Sequence, residues 1–253
     1  MRPKTGISSG FAGLGMFLLL WQIGSWLVNR PILPPPLEVL PIFARLMTGP
    51  LGLHFAASAG RVLAAIALAL VTAVPAGLAL GQIPILNRIF TPLIAILYPI
   101  PKIVLLPVLY VLMGITDISK ICLIALIIFF QIMVVVRDEA LNLHPELILS
   151  VRSLGAGRRA LFRYVYFPAS LPAVLTALRV SIGTAVAVLF IAEQSLTTYG
   201  LGYYIVVETY QVLLYPQMYA GILGMSLLGV LLYFGVFTIE KQVNQYKHDA
   251  GKD

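Results

Sequence analysis

The chain alternates between long apolar stretches, nearly free of charge, and shorter polar connections. A helix rises 1.5 Å per residue, so about 20 apolar residues are needed to cross roughly 30 Å of hydrocarbon. Six stretches meet that length, and they cover residues 9–29, 59–81, 89–113, 118–136, 169–193 and 217–239. The pattern therefore predicts an all-α integral membrane protein with six transmembrane helices.

The third stretch is the least regular of the six. It contains Pro92, Pro99, Pro101 and Pro107, each of which lacks an amide donor and disfavours helix at the preceding residue. Broken backbone at membrane depth is tolerated only against protein or a watery cavity. We expect either a break that lines a cavity or a kinked helix with a purely structural role.

The N-terminal stretch is expected to be a retained span. Its uncharged run from Thr5 to Asn29 is longer than the apolar region of a signal peptide. The Pro-rich segment that follows predicts extended chain and then an interfacial helix. We expect one transmembrane domain over residues 1–253, with an extra span at 9–29, a core at 59–239 and a cytoplasmic loop at 138–168.

Charge supports the membrane assignment and gives it an orientation. Hydrophobic residues make up 60% of the chain and charged residues 11%, with a net charge of +7. No soluble domain carries a basic face, so nucleic acid is not an expected partner. If both termini are cytoplasmic, the outer side receives only Arg30, Arg45 and Arg61, with Lys120 near its boundary. The bases on the cytoplasmic side are then Arg2, Lys4, Arg88, Arg137, Arg152, Arg158, Arg159, Arg163, Lys241, Lys247 and Lys252.

The sequence offers no motif for catalysis, metal binding or nucleotide binding. Cys122 is the only cysteine and is expected to serve packing, and His54, His144 and His248 are too far apart in sequence to suggest a ligand cluster. No G-x-x-x-x-G-K-[ST] motif occurs, so the chain should not hold or hydrolyse ATP. We expect no bound cofactor, no metal and no enzymatic activity.

The loop between the fourth and fifth spans is longer than a tight helix connection requires. Pro145 can open a helix, Gly155 and Gly157 can form an elbow, and RRALFRYVYF can form a second helix that Pro168 stops. Three readings of its arginines stay open on composition alone. They are anchoring to anionic lipid, docking of a cytoplasmic partner, and phosphate recognition by a membrane enzyme.

The same loop resembles a known family. Gly155, nine residues, Val165, one residue and then Phe167-Pro168 follow the spacing of the EAA loop of ATP-binding-cassette importer permeases. SLGAGRRALFRYVYFPASLPAVLTALR is similar to that loop in the subfamily for sulfonates, taurine, nitrate and related solutes. RPILPPPLEVL, HFAASAGRVL, YPIPKIVLLPVLYVLMGITDISK and IAEQSLTTYGLGYYI resemble other parts of the family, so the likeness extends from about residue 31 to 240.

The resemblance implies an inner-membrane permease subunit of an ATP-driven importer, coupled through this loop to separate ATPases that use the ATP. The implied partners are two cytoplasmic ATPase subunits, a second permease copy, an extracytoplasmic solute-binding protein and the lipid bilayer. The loop residues that would couple to the ATPase are Arg152, Ser153, Leu154, Gly155, Ala156, Arg158, Arg159 and Pro168.

One departure from the family concerns its eponymous glutamate. Leu149, Ser150 and Val151 stand where Glu-Ala-Ala is usual, and the literal Glu139-Ala140 lies too far upstream. Glu146 lies about one helical turn earlier on the same face, and we hypothesise that it substitutes.

Ionisable residues inside spans are candidates for a solute path. Lys102 and Arg179 could favour an anionic solute, snorkel towards an interface or pair with backbone carbonyls. Glu193 could gate the outer mouth or make a structural hydrogen bond. The path would further include Pro99, Pro101, Gly200 and Gly202. Two rival functions remain, an integral-membrane enzyme acting on phosphorylated lipid and a secondary transporter driven by an ion gradient.

Overall fold

The computed structural model describes the backbone of residues 7–194 and 196–249, in which helices dominate and no strand occurs. The first half consists of α1 (Ile7–Val28), α2 (Pro36–Met47), α3 (Pro50–Gln82), α4 (Pro84–Leu97), a 3₁₀ turn (Lys102–Leu105) and α5 (Leu106–Met113). The second half consists of α6 (Asp117–Leu141), α7 (Pro145–Ser153), α8 (Arg158–Leu161), a π-helical turn (Phe162–Tyr166), α9 (Phe167–Glu193), α10 (Leu201–Tyr203), a second π-helical stretch (Tyr204–Tyr210) and α11 (Tyr215–Asp249).

Four helices are long and apolar enough to cross a membrane, and a bent pair can supply a fifth span. The four are α3, α6, the continuous helix Arg159–Glu193 that contains α9, and Tyr215–Val243 within α11. Helix α1 has 22 residues, and its part with described side chains, Ala12–Val28, is apolar but shorter than a full span by the same criterion. The all-helical membrane fold is therefore confirmed, while six spans remain a prediction.

The third predicted span is a broken one. Instead of a single helix over residues 89–113, α4 ends at Leu97 and the chain resumes as helix at Lys102, with a bend of 86° between the two parts. Pro99 and Pro101 lie in the break. Each lacks the amide that would continue the helical hydrogen-bond ladder and disfavours helix at the preceding residue, so the two prolines account for the end of α4.

The centre of the bundle is the pair α3 and α6. Gly77 and Gly81 on α3 face α6, where an added Cβ at Gly77 would lie 2.7 Å from the Met133 carbonyl oxygen. Small residues allow such close backbone approach, which is how helices gain packing energy in lipid. On α6 the buried face carries Leu123, Ile124, Ile128, Ile132 and Val136. Helix α9 packs on the other side of α6, and α11 packs on α9 and α2.

The expectation that Pro168 stops a helix is wrong. The helix that begins at Arg158 runs without interruption into α9, through the π-helical turn Phe162–Tyr166. The amide of Phe167 donates to the carbonyl of Phe162, an i to i−5 bond. Such a wide turn accommodates the missing amide and the ring of Pro168. The proline therefore changes the register of the helical hydrogen bonds without ending the helix.

Candidate functional site

The elbow between α7 and α8 is an outward-facing corner. Gly155 has a φ of +81°, a conformation that only glycine adopts without strain, and its amide donates to the Arg152 carbonyl at 2.9 Å. Leu154 is 85% exposed and Leu149 60% exposed. The sequence thus places two apolar side chains at a corner where this chain gives them no cover.

The rest of the elbow divides into an exposed rim and a buried anchor. Glu146, Arg152, Ser153, Arg159 and Pro168 are exposed, while Ala156 is half-buried and the Arg158 side chain is outside the described part. The anchor consists of Leu161, Val165 and Tyr166, which are buried in the core of the bundle. These contacts fix α8 to the body of the bundle.

A buried polar cluster lies at the opposite end of the bundle. Glu193, at the last turn of α9, has no exposed surface, and its Oε1 accepts from Arg61 Nη1 of α3 at 2.6 Å. Arg61 is 5% exposed and also donates from Nε to Asp117 Oδ1 at 2.9 Å, at the start of α6. Paired charges of this kind tie the ends of three spans together, since an unpaired charge there would be costly.

Glu193 also holds the chain that follows α9. The Gly202 amide donates to its Oε2 at 3.0 Å, and the Ser58 hydroxyl lies within 2.9 Å of both of its oxygens. The Leu201 amide donates to Ser58 Oγ at 2.8 Å. The first amides of α10 therefore find acceptors in α9 and α3, as buried helix N-termini require.

Gly200 and Gly202 make this contact possible. Gly200 has a φ of +131°, and a Cβ there would lie 2.6 Å from Arg61 Nη1. A Cβ at Gly202 would lie 2.6 Å from the Phe190 carbonyl oxygen. Both positions need glycine because the backbone passes directly over buried side chains.

His54 closes the cluster on the α3 side. It is 4% exposed, its Nδ1 lies 3.1 Å from the Gly200 amide nitrogen and 3.2 Å from the Gly200 carbonyl oxygen, and its Nε2 lies 3.4 Å from Glu208 Oε2. Burial, aided by the charge of Glu208, raises the pKa of neighbouring Tyr204 to about 12, so its hydroxyl stays neutral at physiological pH.

Lys102 and Arg179, the other predicted path residues, lie in separate places. The Lys102 ammonium donates to the carbonyls of Leu97, Tyr98 and Ile100 at 3.1–3.3 Å, all of which lie at the break after α4. Arg179 Nε donates to Glu240 Oε2 of α11 at 2.7 Å. These contacts give each residue partners within the chain, and a part for either residue in a solute path stays a prediction.

The comparisons with known proteins agree with the loop motif and the fold. The family of binding-protein-dependent transport system inner membrane components matches residues 65–245. The chain belongs to this family.

Named relatives of this inner membrane component are transport permeases. The chain is 30% identical over 236 residues to the taurine transport system permease protein TauC of Escherichia coli (strain K12), a match that covers 89% of this chain and 84% of TauC. It is 26% identical over 228 residues to the formylaminopyrimidine transport permease protein ThiX of Halalkalibacterium halodurans, covering 89% of this chain and 90% of ThiX. A permease subunit, rather than an enzyme, is therefore confirmed.

A solved structure supports the fold of this inner membrane component. A chain of the MetNI methionine ABC transporter in an inward-facing conformation superposes with a TM-score of 0.62, covering 78% of this chain and 97% of that chain. The two sequences are 20% identical, so the likeness shows the fold alone.

Sequence reasoning missed most of the buried cluster. The charge pattern places Arg61 among the outer-side bases and predicts no role for Asp117, although Arg61 falls two residues inside the predicted second span. An arginine inside a span needs an anionic partner, and Glu193 ends a predicted span on the same side. That pairing was the available signal.

Proposed function

We propose that this importer permease forms the membrane path for a small polar or anionic solute of the sulfonate type, and that the elbow of α7 and α8 docks on a separate ATPase. The observation that carries the proposal is Leu154, an apolar side chain 85% exposed beside Gly155 at the corner. A leucine at such a corner is suited to a groove on a partner, with Arg152 and Arg159 at the rim.

The coupling proposal follows from one continuous helix. The helix Arg159–Glu193 has 35 residues and is therefore about 52 Å long. One end lies beside the elbow, and the other end carries Glu193 in the buried cluster. A rigid displacement of the docked elbow would reach the far side of the bundle through this helix.

The assembly would contain two ATPase subunits, a second copy of this permease and an extracytoplasmic solute-binding protein. The termini and the elbow would be cytoplasmic in a six-span topology, with α1 and the bent pair each counted as a span. TauC, whose name identifies taurine transport, supports a sulfonate as the first solute to test. The broken chain at Pro99 and Pro101 and the glycines at 200 and 202 remain the proposed path elements.

Leu154→Asp tests the docking. We expect co-purification of the ATPase with the permease to weaken at least tenfold, because burial of a leucine side chain is worth about 1.5–3 kcal/mol and a carboxylate adds a desolvation cost. Pull-down of the complex at matched expression measures the change. Leu154→Met is the control and should bind normally, and undiminished binding by Leu154→Asp would show that the elbow is not the docking element.

Glu146→Ala tests whether Glu146 takes the place of the glutamate in the family's Glu-Ala-Ala. Glu146 is exposed in the first turn of α7, where it can accept charged hydrogen bonds from a partner. We expect transport-linked ATP hydrolysis in the reconstituted complex to fall about fivefold, in keeping with one charge-assisted hydrogen bond. Glu139→Ala, at the literal Glu-Ala pair, should retain wild-type hydrolysis. Equal rates for Glu146→Ala and the wild type would remove the hypothesis.

A further inference from the structure

A cavity of about 610 Å³ opens beside the buried cluster, at the end of the bundle far from the elbow. Its size falls within the range of small-molecule sites. Helix α3 supplies Arg61, the start of α6 supplies Asp117 and Lys120, and the chain after α9 supplies Thr197, Thr198 and Tyr199. Three spans thus converge on a polar cavity that the contacts within the cluster do not fill.

Lys120 lies in the wall of this cavity and is poorly paired. Its side chain is 2% exposed, and the one partner that the described residues give its ammonium is Asp117 Oδ1 at 3.8 Å. That oxygen already accepts from Arg61 Nε at 2.9 Å and pairs with Nη2 at 2.8 Å. An ammonium has three donors, and a buried one is costly unless acceptors reach it. The cavity is the direction from which acceptors can come.

Asp117 provides the opposite charge towards the mouth. Its side chain is 60% exposed, and Oδ2 has no recorded partner in the described part of the chain. Arg61 contributes little free charge, because Glu193 Oε1 lies 2.6 Å from Nη1. The groups left for a ligand are therefore the Lys120 ammonium deep in the cavity and the Asp117 carboxylate near its opening.

We propose that this cavity binds a small zwitterionic solute on its way through the permease. The anionic group of the solute accepts from Lys120 Nζ, and its ammonium group faces Asp117 Oδ2. The hydroxyl of Thr198, which also lines the cavity, is available to the anionic group. The inference rests on the proposed importer function and adds to it the site and the charge pattern of the solute.

Protection of an introduced thiol tests the site without transport. In the full chain carrying Cys122→Ser and Ala57→Cys, reconstituted in nanodiscs, the reaction rate with a methanethiosulfonate reagent is measured while taurine is titrated; Ala57 lines the cavity and has no part in the proposed contacts. We expect saturable protection, reaching about tenfold at ten times the dissociation constant. Methanesulfonate, which lacks the ammonium, and ethanolamine, which lacks the anion, should each protect at least fivefold less at equal concentration.

The Lys120 variants give the matched comparison. Lys120→Gln should abolish protection by taurine, Lys120→Arg should retain it, and Lys241→Gln, which removes an exposed positive charge from α11, should leave it unchanged. If Lys120→Gln does not fold, the comparison of taurine, methanesulfonate and ethanolamine on the chain that keeps Lys120 still tests whether the cavity prefers a zwitterion. Equal protection by all three, no protection, or full protection in Lys120→Gln overturns the proposal.

Transport separates this inference from the proposed function. Proteoliposomes with the permease, its ATPase and its solute-binding protein are assayed for ATP-dependent taurine uptake. Uptake without thiol protection would refute the cavity site and leave the importer function intact. Protection without ATP-dependent uptake would support the cavity and count against a taurine-type solute for the importer.

Discussion

Arg61→Met is expected to lower the free energy of unfolding by about 3–5 kcal/mol, because it leaves a carboxylate buried without its partner. Glu193 has no exposed surface, and its contact with Arg61 Nη1 is only 2.6 Å long. Arg61 also donates to the Tyr199 carbonyl at 2.7 Å, so the substitution releases the chain after α9 as well. Equilibrium unfolding in mixed micelles, followed by circular dichroism, measures the loss.

A double substitution distinguishes the ion pair from general damage. Adding Glu193→Gln to Arg61→Met removes the stranded charge and should recover part of the lost stability, which is a coupling that additive effects would not give. Arg45→Met, at an exposed position of α2, should change stability by less than about 0.5 kcal/mol. A loss in Arg61→Met no larger than in Arg45→Met would mean that the cluster does not hold the fold together.

The long helix connects the buried cluster to the elbow. Glu193 ends the same continuous helix that begins beside the elbow, so the chain fixed by the cluster, from Tyr199 to Gly202, is attached to the far end of the proposed lever. The cavity with Lys120 adjoins that chain. Under the two proposals, movement at the elbow and reshaping of the cavity are therefore one event, transmitted by a single helix.

The apolar pattern was enough to locate most of the membrane helices. Hydrocarbon leaves every backbone polar group to be satisfied within the chain, so length and apolarity alone mark a span. Predicted segments 118–136 and 169–193 lie inside α6 and the helix that contains α9. The elbow was also predictable, because Gly155 and Pro145 act locally on the backbone, and Gly155 lies at the corner with a positive φ.

What could not be predicted depends on contacts between distant residues or on a rare local geometry. Arg61, Asp117 and Glu193 are 56 to 132 positions apart in pairs, and no local pattern records their meeting. The contacts of Lys102 depend on the break after α4, which brings the carbonyls of Leu97, Tyr98 and Ile100 within reach of its ammonium. Pro168 was misjudged because a π-helical turn, uncommon in helices, absorbs the proline.

Gly77→Leu is expected to destabilise the permease by about 3 kcal/mol or more, at the upper end of overpacking effects. An added Cβ would lie 2.7 Å from the Met133 carbonyl oxygen and 2.8 Å from Val136 Cβ. The first of these atoms belongs to the backbone of α6 and cannot rotate away. The two central helices would therefore have to separate along their whole contact, and the apparent melting temperature in detergent should fall by many degrees.

Gly60 supplies the matched control on the same helix. It lies on the exposed side of α3, and nothing is within 4 Å of the position of an added Cβ. Gly60→Leu should therefore be neutral or slightly stabilising, since it replaces glycine in a helix interior without a clash. If Gly77→Leu and Gly60→Leu melt alike, close approach of α3 and α6 is not what holds the centre of this bundle. A difference in the expected direction would show that the absence of one side chain, rather than burial of apolar area, sets the distance between these two spans.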